Sequence, residues 1–483
     1  MALSSHTPRD TFFWLGQINK ASLVVNADKH LLDGSVAACI ARGLQTVLDD
    51  ARTSGLRPSR VIDFEPVLIA AAGVEATLLH AGRSSQDMHA TASSAQLREE
   101  TLALAECLAM LIRGLADMAE RHQGTLVPNY TNGVAAQPNS YGHYLLGHTA
   151  GFMRDGDRLR GFYTRLDLCP MGTAVLNGTG WPLDRVRMAV SLGFDGVVDN
   201  AYDAVQIRSL ELPMELGHVA CGIALHVGTL IQDVMVQYSQ PRPWLLLKEG
   251  GDNTYVSSAM PQKRNPGLLN DTRAEASRIV TLSVGRTIQA HNVPSGMSDA
   301  RSVADNTAVV AGAANLVRKL VKVLSALEID PARALEELDL DWTASQELAD
   351  LLMLDHGVPF RVGHHFASDM VSFARKQGIR PSSFSHEDAT RLYSEACVAL
   401  RYPSAAFPLS ESQFRSALDP AAIVGARKTS GGPQASEMQR MVRESRSAAD
   451  RLGGWTQGKR RRIDDALEAL DADFGAMVGR GAS

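Results

Sequence analysis

The residues best suited to chemistry lie in the stretch 250–266, which reads GGDNTYVSSAMPQKRNP. Its Gly, Ser, Asn and Pro content is typical of a loop. Two adjacent hydroxyls, Ser257 and Ser258, precede the ammonium group of Lys263 and the amide of Asn265. A serine becomes a base only where a positive charge or backbone N–H groups stabilise its alkoxide. Lys263 could supply that charge, or could bind a substrate carboxylate together with Asn265. Composition alone also allows a solvated surface loop.

Two further polar strings could bind a ligand. The string HAGRSSQDMHAT at 80–91 predicts a polar turn or a helix N-terminus, and it offers possible anion ligands at Arg83, Ser84, Ser85, Gln86 and Asp87. The string VPNYTNGVAAQ at 127–137 predicts a loop that leads into a helix. In that loop Thr131 and Gln137 are polar groups among small residues.

Long helices must position these strings. From Leu97 to Met118 apolar residues recur at steps of three, four and seven, which is the stripe of a helix in a bundle. Similar stripes over 211–240 and 304–328 lie on either side of the loop, and another helical stretch follows it at 268–289. No alternation of strand period and useful length occurs, and aromatic residues make up only 6% of the chain. We therefore predict an all-α fold.

The pattern divides the chain into three helical domains. Residues 1–95 form an irregular N-terminal helical domain, 96–340 a central long-helix bundle that carries the loop 250–266, and 341–483 a small C-terminal helical domain. The central stripes contain few charged residues, which favours helices that are buried on more than one side. A bundle shared between subunits would bury them in this way.

Composition excludes several classes of protein. The 483 residues carry a formal net charge of -5, so nucleic-acid binding is not indicated. No run of 18 apolar residues occurs, although 216–236 come close, so we expect no membrane span. The first residues lack the basic flank and apolar core of a signal peptide, which favours a cytoplasmic protein. The five scattered cysteines argue against a disulfide framework and a zinc site.

The string SSAMPQKRNP resembles the signature loop GSSxMPxKxNP of the fumarase, aspartase and argininosuccinate lyase superfamily, although Val256 replaces the leading glycine. In that superfamily the first serine removes a proton from the carbon next to a carboxylate, and fumarate leaves by β-elimination. The resemblance implies that Ser257 is the base and that Lys263 and Asn265 meet substrate carboxylates. It also places Ser258 and Met260 at the substrate.

Other strings share the resemblance and assign further site residues. VPNYTNGVAAQP resembles the family's PGYTHLQRAQP, which implies catalytic and binding roles for Thr131, Asn132 and Gln137. The string at 82–87 falls where argininosuccinate lyases carry GRSRNDQ. This implies that four residues form a carboxylate site: Arg83, Ser84, Ser85 and Gln86. In the family's string, Arg stands at the position of Ser85 and Asn at the position of Gln86. The strings GVPFRVGHH at 357–365 and RKTSGG at 427–432 are similar to the C-terminal domain of argininosuccinate lyases in particular.

The resemblance implies a carbon–nitrogen lyase that eliminates fumarate from an N-substituted aspartate. It also implies a homotetramer whose sites draw on three chains, and we expect no cofactor, no metal and only small-molecule substrates. Argininosuccinate lyases pair a histidine with a glutamate, and here Asn132 and Asn270 stand at those positions. An amide is no acid near neutral pH, so we expect an amine other than arginine, such as a diamine or an amino acid.

Three alternatives remain at this point. The first is argininosuccinate lyase itself. The second is a lyase for another N-substituted aspartate, such as an aminopolycarboxylate of the ethylenediamine-disuccinate type. The third is an inactive oligomeric homologue, against which the retention of Ser257, Lys263 and Asn265 argues.

Overall fold

The computed structural model describes residues 9–297, 302–403 and 406–480. The first elements of the described part are three helices, α1 (Thr11–Asp28), α2 (Gly34–Ser54) and α3 (Val61–Ala72), and a 3₁₀ segment, Val74–His80. The carboxylates of Asp10 and Asp33 accept backbone N–H groups in the first turns of α1 and α2, which explains where these helices start. Their apolar residues pack into a core that also takes in Phe194 and Phe474, so the N-terminal region shares its core with later segments.

Long helices form the centre of the molecule, and one short helix lies among them. They are α4 (Ser85–Arg121), α5 (Tyr141–Leu166), the short α6 (Arg185–Ser191), α7 (Arg208–Tyr238), α8 (Gly267–Ala290) and α9 (Val303–Ala326). The predicted stripe lies within α4, and its members are all buried: Leu97, Leu104, Leu108, Leu111, Leu115 and Met118. The all-α class is therefore confirmed, and the periodicity that predicted it is the packing face of the bundle.

Helix α7 is the most apolar of these helices. With the π-helical turn that precedes it (Asp203–Ile207), it is long and apolar enough to cross a membrane by length and composition alone, a test that a core helix also passes. Here α7 packs against α8, α5 and α9, and residues such as Ile223 and Val227 are completely buried. Packing in the bundle accounts for the buried part of its apolar surface.

The segment 126–140 is a β-hairpin, so the prediction of a loop for these residues was wrong. Strand β1 (Leu126–Thr131) pairs antiparallel with β2 (Val134–Ser140), and Thr131 faces Val134 across the turn. The two turn residues, Asn132 and Gly133, have φ values of 53° and 77°. A two-residue turn with both φ angles positive matches the twist of the strands, and Asn-Gly is the sequence that favours it.

The remaining strands are two or three residues long and pair in twos. They are β3 (Leu168–Cys169) with β4 (Gly196–Val197), β5 (Leu245–Leu247) with β8 (Leu327–Ile329), and β6 (Tyr255–Val256) with β7 (Arg264–Asn265). The pair β6–β7 lies inside the stretch 250–266. These short pairs tie loops together at the ends of the bundle without forming a sheet of their own.

The described residues of the C-terminal part form seven α-helices: α10 (Pro331–Leu340), α11 (Ser345–His356), α12 (Phe360–Gln377), α13 (His386–Ala399), α14 (Glu411–Ala417), α15 (Pro420–Ala426) and α16 (Ala435–Gly479). Residues between 342 and 423 form a separate apolar cluster around Leu348 and Phe366. Helix α16 instead lies along α4, where Arg446 pairs with Asp117 at 2.7 Å. The division into three domains at residues 95 and 340 stays a prediction.

Candidate functional site

The signature loop is a small hairpin whose pairing brings its polar residues to one side. Tyr255 faces Asn265 in the β6–β7 register, and the N–H of Ser257 donates to the carbonyl of Lys263 at 3.2 Å. This bond extends the register so that Ser257 stands opposite Lys263. Because side chains alternate along a strand, Ser257, Lys263 and Asn265 share one face of the hairpin.

The hydroxyl of Ser257 accepts two backbone N–H groups from the turn that follows it. The donors are Met260, at 3.2 Å, and Ala259, at 3.4 Å. Donors aimed at one oxygen stabilise negative charge on it, which is what a serine alkoxide needs in order to act as a base. The structure thus supplies particular donors for Ser257, which the sequence could not identify.

The loop is accessible in a single chain. Ser258, Met260 and Lys263 are exposed, and within the described residues the Lys263 ammonium forms no ion pair. Arg264 pairs with Glu249 at 3.0 Å and holds the base of the hairpin. Within the described residues, the side-chain hydrogen bonds of the loop join only residues 248–265, so they leave its reactive face accessible.

The hairpin 126–140 is anchored close to its turn by Tyr130. The phenol hydroxyl donates to Glu337, and the same oxygen accepts from Trp244 Nε1 at 2.9 Å and from Gln237 Nε2 at 3.2 Å. Burial, with the neighbouring Glu337, raises the pKa of Tyr130 to about 12, so this residue stays protonated. The strand is therefore fixed where Thr131 follows.

The tip of this hairpin carries the predicted site residues. Thr131 and Asn132 are exposed at the turn. Gln137 lies in β2, where its amide donates to Gln346 of α11 at 2.7 Å. The tip thus presents Thr131 and Asn132 to solvent, while Gln137 links the hairpin to the C-terminal helices.

Arg83 contacts the N-terminal helices. Its guanidinium donates to Asn19 at 2.8 Å and to Ser22 at 3.1 Å, both on α1. Burial lowers the pKa of Arg83 to about 10, which still leaves it charged near neutral pH. Two of its nitrogens therefore hold α1 against the start of α4.

The residues after Arg83 begin α4. The Ser84 hydroxyl accepts the N–H of Gln86 at 3.1 Å, and the Asp87 carboxylate accepts the N–H of Ser84 at 2.8 Å, which together form a capping box. Ser85 is exposed, and Gln86 borders a cavity of about 230 Å³. Ser84 thus serves as the helix cap, whereas Ser85 and Gln86 lie at the surface of the helix start.

Within one chain, the predicted site residues lie at opposite ends of α4. Helix α4 begins beside Arg83 and ends beside the hairpin, where the N–H of Gly142 donates to the carbonyl of His122. Its 37 residues span about 55 Å at 1.5 Å per residue. The signature loop follows Trp244 and β5, at the same end as the hairpin. The residues Arg83 to Gln86 are thus far from both other groups.

Asp233 lies near the hairpin, and the sequence analysis assigned it no role. A cavity of about 370 Å³ lies beside Asn132 and Gly133 and is also lined by Tyr144 and Asp233. The signal was present, because Asp233 is a charge within the apolar stretch 216–236. Across the described residues, no group of three or more His, Cys, Asp and Glu side chains is placed to hold a metal ion.

The chain matches two family models. One, described as Lyase, covers residues 61–281, and one described as Argininosuccinate lyase C-terminal covers 342–425. Argininosuccinate lyase of Methanoculleus marisnigri is 30% identical over 477 residues, which are 94% of this chain and 92% of that protein. Argininosuccinate lyase of Methanosarcina acetivorans is 29% identical over 400 residues, 81% and 77% of the two chains.

A solved structure of similar shape is a variant of EDDS lyase with bound fumarate. It superposes with a TM-score of 0.85 at 25% identity, and the match covers 98% of this chain and 93% of that one. The chain therefore belongs to the argininosuccinate lyase branch of the fumarase/aspartase superfamily and is a carbon–nitrogen lyase that releases fumarate.

Proposed function

We propose that the protein eliminates fumarate from an N-substituted aspartate whose amine is not arginine, with Ser257 as the base. The role of Ser257 is supported by the hydrogen bonds of its hydroxyl oxygen, which accepts two backbone N–H groups. Ser257 lies on the same face of the hairpin as Lys263 and Asn265. The Ser257 alkoxide removes the proton from the carbon next to the substrate carboxylate. The resulting carbanion delocalises into that carboxylate, and Lys263 and Asn265 stabilise the added charge.

The second step breaks the C–N bond, and the leaving amine takes a proton. Asn132 lies in the hairpin turn and Asn270 in the first turn of α8, and neither amide ionises near neutral pH. A basic amine near water can take its proton from solvent, which suits an aliphatic amine better than a guanidinium. The likeness to EDDS lyase supports an amine of this kind.

The proposed assembly is a homotetramer that completes each site with residues from different chains. The 37-residue length of α4 supports this, because one chain cannot bring Gln86 to Thr131. Large apolar side chains on the bundle also remain exposed in a single chain: Leu225 is 58%, Val284 51% and Ile288 68% exposed. Such surface on long helices is typical of subunit interfaces. We further propose a cytoplasmic location, with small molecules as the substrates.

Of the two alternatives, one has support of its own and the other does not. The relatives named argininosuccinate lyase, 29–30% identical, favour argininosuccinate as substrate. An inactive oligomer would be expected to lose the base, whereas Ser257, Lys263 and Asn265 are all present.

A screen in the addition direction tests the proposal. Fumarate is held constant, and its consumption is followed with arginine, ethylenediamine and several amino acids, next to argininosuccinate cleavage. We expect kcat/KM for the best amine to exceed that for arginine by at least about tenfold, equivalent to about 1.4 kcal/mol. Efficient argininosuccinate cleavage with no reaction of other amines would contradict the proposed amine.

A further inference from the structure

The cavity beside the hairpin has an aromatic wall, and we call it the aromatic cavity. Tyr130, Tyr141, Tyr144 and Trp244 line its wall, and the turn residue Asn132 borders it. The rings of Tyr141 and Tyr144 stack with centroids 5.6 Å apart, and Tyr141 meets Trp244 edge to face at 5.9 Å. With a volume of about 370 Å³, the cavity is large enough for a small organic ligand.

Three of the four aromatic residues of this wall use their polar atoms within the protein: Tyr130, Tyr144 and Trp244. Trp244 Nε1 donates to the hydroxyl of Tyr130, which itself donates to Glu337. The hydroxyl of Tyr144 donates to Asp233 at 2.8 Å. The rings are therefore held in place, and what they offer to a ligand is their faces, which carry the negative side of the ring quadrupole.

Among the described residues, Asp233 is the one charged residue that lines the aromatic cavity. Its Oδ2 accepts from Tyr144, whereas the described residues provide no hydrogen-bond donor for its Oδ1. The nearest basic group is His148, with Nε2 3.9 Å from Oδ2, and burial lowers the pKa of that imidazole. No Lys or Arg lines the cavity among the described residues. A negative charge beside ring faces repels a carboxylate and attracts a cation.

We propose that the aromatic cavity binds an organic ammonium cation, which is the amine-bearing end of the substrate. This inference rests on the proposed function, because the cavity borders the turn that follows Thr131. A diamine suits the site, since one nitrogen can stay protonated beside Asp233 while the other, unprotonated, attacks fumarate. The faces of Trp and Tyr rings are a recognised binding surface for organic ammonium cations.

Equilibrium binding tests this site without any reaction. Isothermal titration with ethylenediamine is compared with titration with ethylene glycol, a neutral molecule of the same length. We expect ethylenediamine to bind measurably and ethylene glycol not to bind. Asp233→Asn and Tyr144→Leu should each weaken the binding of ethylenediamine about tenfold, whereas Asp233→Glu should bind it as wild type does. The matched control is Asp473→Asn on α16, the same change at an exposed carboxylate outside the cavity, and it should leave binding unchanged.

Kinetics in the addition direction separate this inference from the proposed reaction. If amines add to fumarate, Asp233→Asn should raise the KM of ethylenediamine about tenfold while the KM of fumarate stays constant. If no amine reacts and ethylenediamine still binds in an Asp233-dependent way, the cation site stands and the proposed reaction fails. Binding that is equal in wild type and Asp233→Asn, or equal for ethylenediamine and ethylene glycol, would overturn the cation site.

Discussion

Replacing the proposed base by alanine is the sharpest single perturbation. In Ser257→Ala the oxygen that accepts the N–H groups of Ala259 and Met260 is lost. Hydrogen bonds to a charged oxygen contribute about 1.5–3 kcal/mol each, so two of them stabilise the alkoxide by about 3 kcal/mol or more. General base catalysis is itself worth about 10²–10⁴-fold. We therefore expect kcat to fall by about 10³-fold or more.

The neighbouring hydroxyl provides a matched control for this change. Ser258 is exposed, and the described residues give its hydroxyl no hydrogen-bond partner, so Ser258→Ala should lower kcat by less than about tenfold. Fumarate release is followed by its ultraviolet absorbance, and thermal melting confirms that both variants fold. If the two variants lose similar, small amounts of activity, Ser257 is not the base.

Three further predictions concern charge, assembly and pH. Lys263→Met should raise KM and lower kcat. If the substrate carboxylate is buried, the resulting fall in kcat/KM should correspond to about 3–5 kcal/mol of lost transition-state stabilisation. Near-normal kinetics would show that Lys263 does not contact the substrate. A refolded 1:1 mixture of Ser257→Ala and Thr131→Val chains should recover about a quarter of the wild-type activity if the two residues reach one site from different chains, whereas a fully active monomer in light scattering would contradict the shared site. The Arg440 guanidinium holds the pKa of Glu437 at about 2, below its ordinary value of 4.5. The Glu437 carboxylate therefore contributes to stability above pH 4.5, and this contribution is lost as the pH falls towards 2. The melting temperatures of wild type and Glu437→Gln should therefore converge between about pH 5 and pH 2, and a constant difference would refute this.

Helical periodicity predicted the bundle well because it is a local property of the chain. The stripe from Leu97 to Met118 lies within α4, and its residues are buried as the period of 3.6 requires. The hairpin 126–140 was missed although Asn132-Gly133 is the preferred two-residue turn between strands. The flanking strands contain Pro128 and Pro138 and lack a clear alternation of apolar and polar residues, so the local sequence favours a loop over a pair of strands.

The candidate site shows a different limit. The signature loop could be assigned from its own residues, because Ser257, Lys263 and Asn265 lie within nine positions of one another. The partners of Arg83 could not, since Asn19 and Ser22 lie more than 60 positions earlier in the chain. Long-range contacts of this kind depend on tertiary packing, and no local pattern of residue types encodes them.

The most direct test of the central claim is elimination from a defined N-substituted aspartate. The single adduct of ethylenediamine and fumarate, N-(2-aminoethyl)aspartate, is incubated with the protein, and fumarate and ethylenediamine are both quantified. We predict equal amounts of the two products, formed at a saturable rate that Ser257→Ala abolishes and Ser258→Ala largely retains. If fumarate appears neither from this compound nor from argininosuccinate, or appears equally with the Ser257→Ala protein, the proposed reaction and its base are wrong.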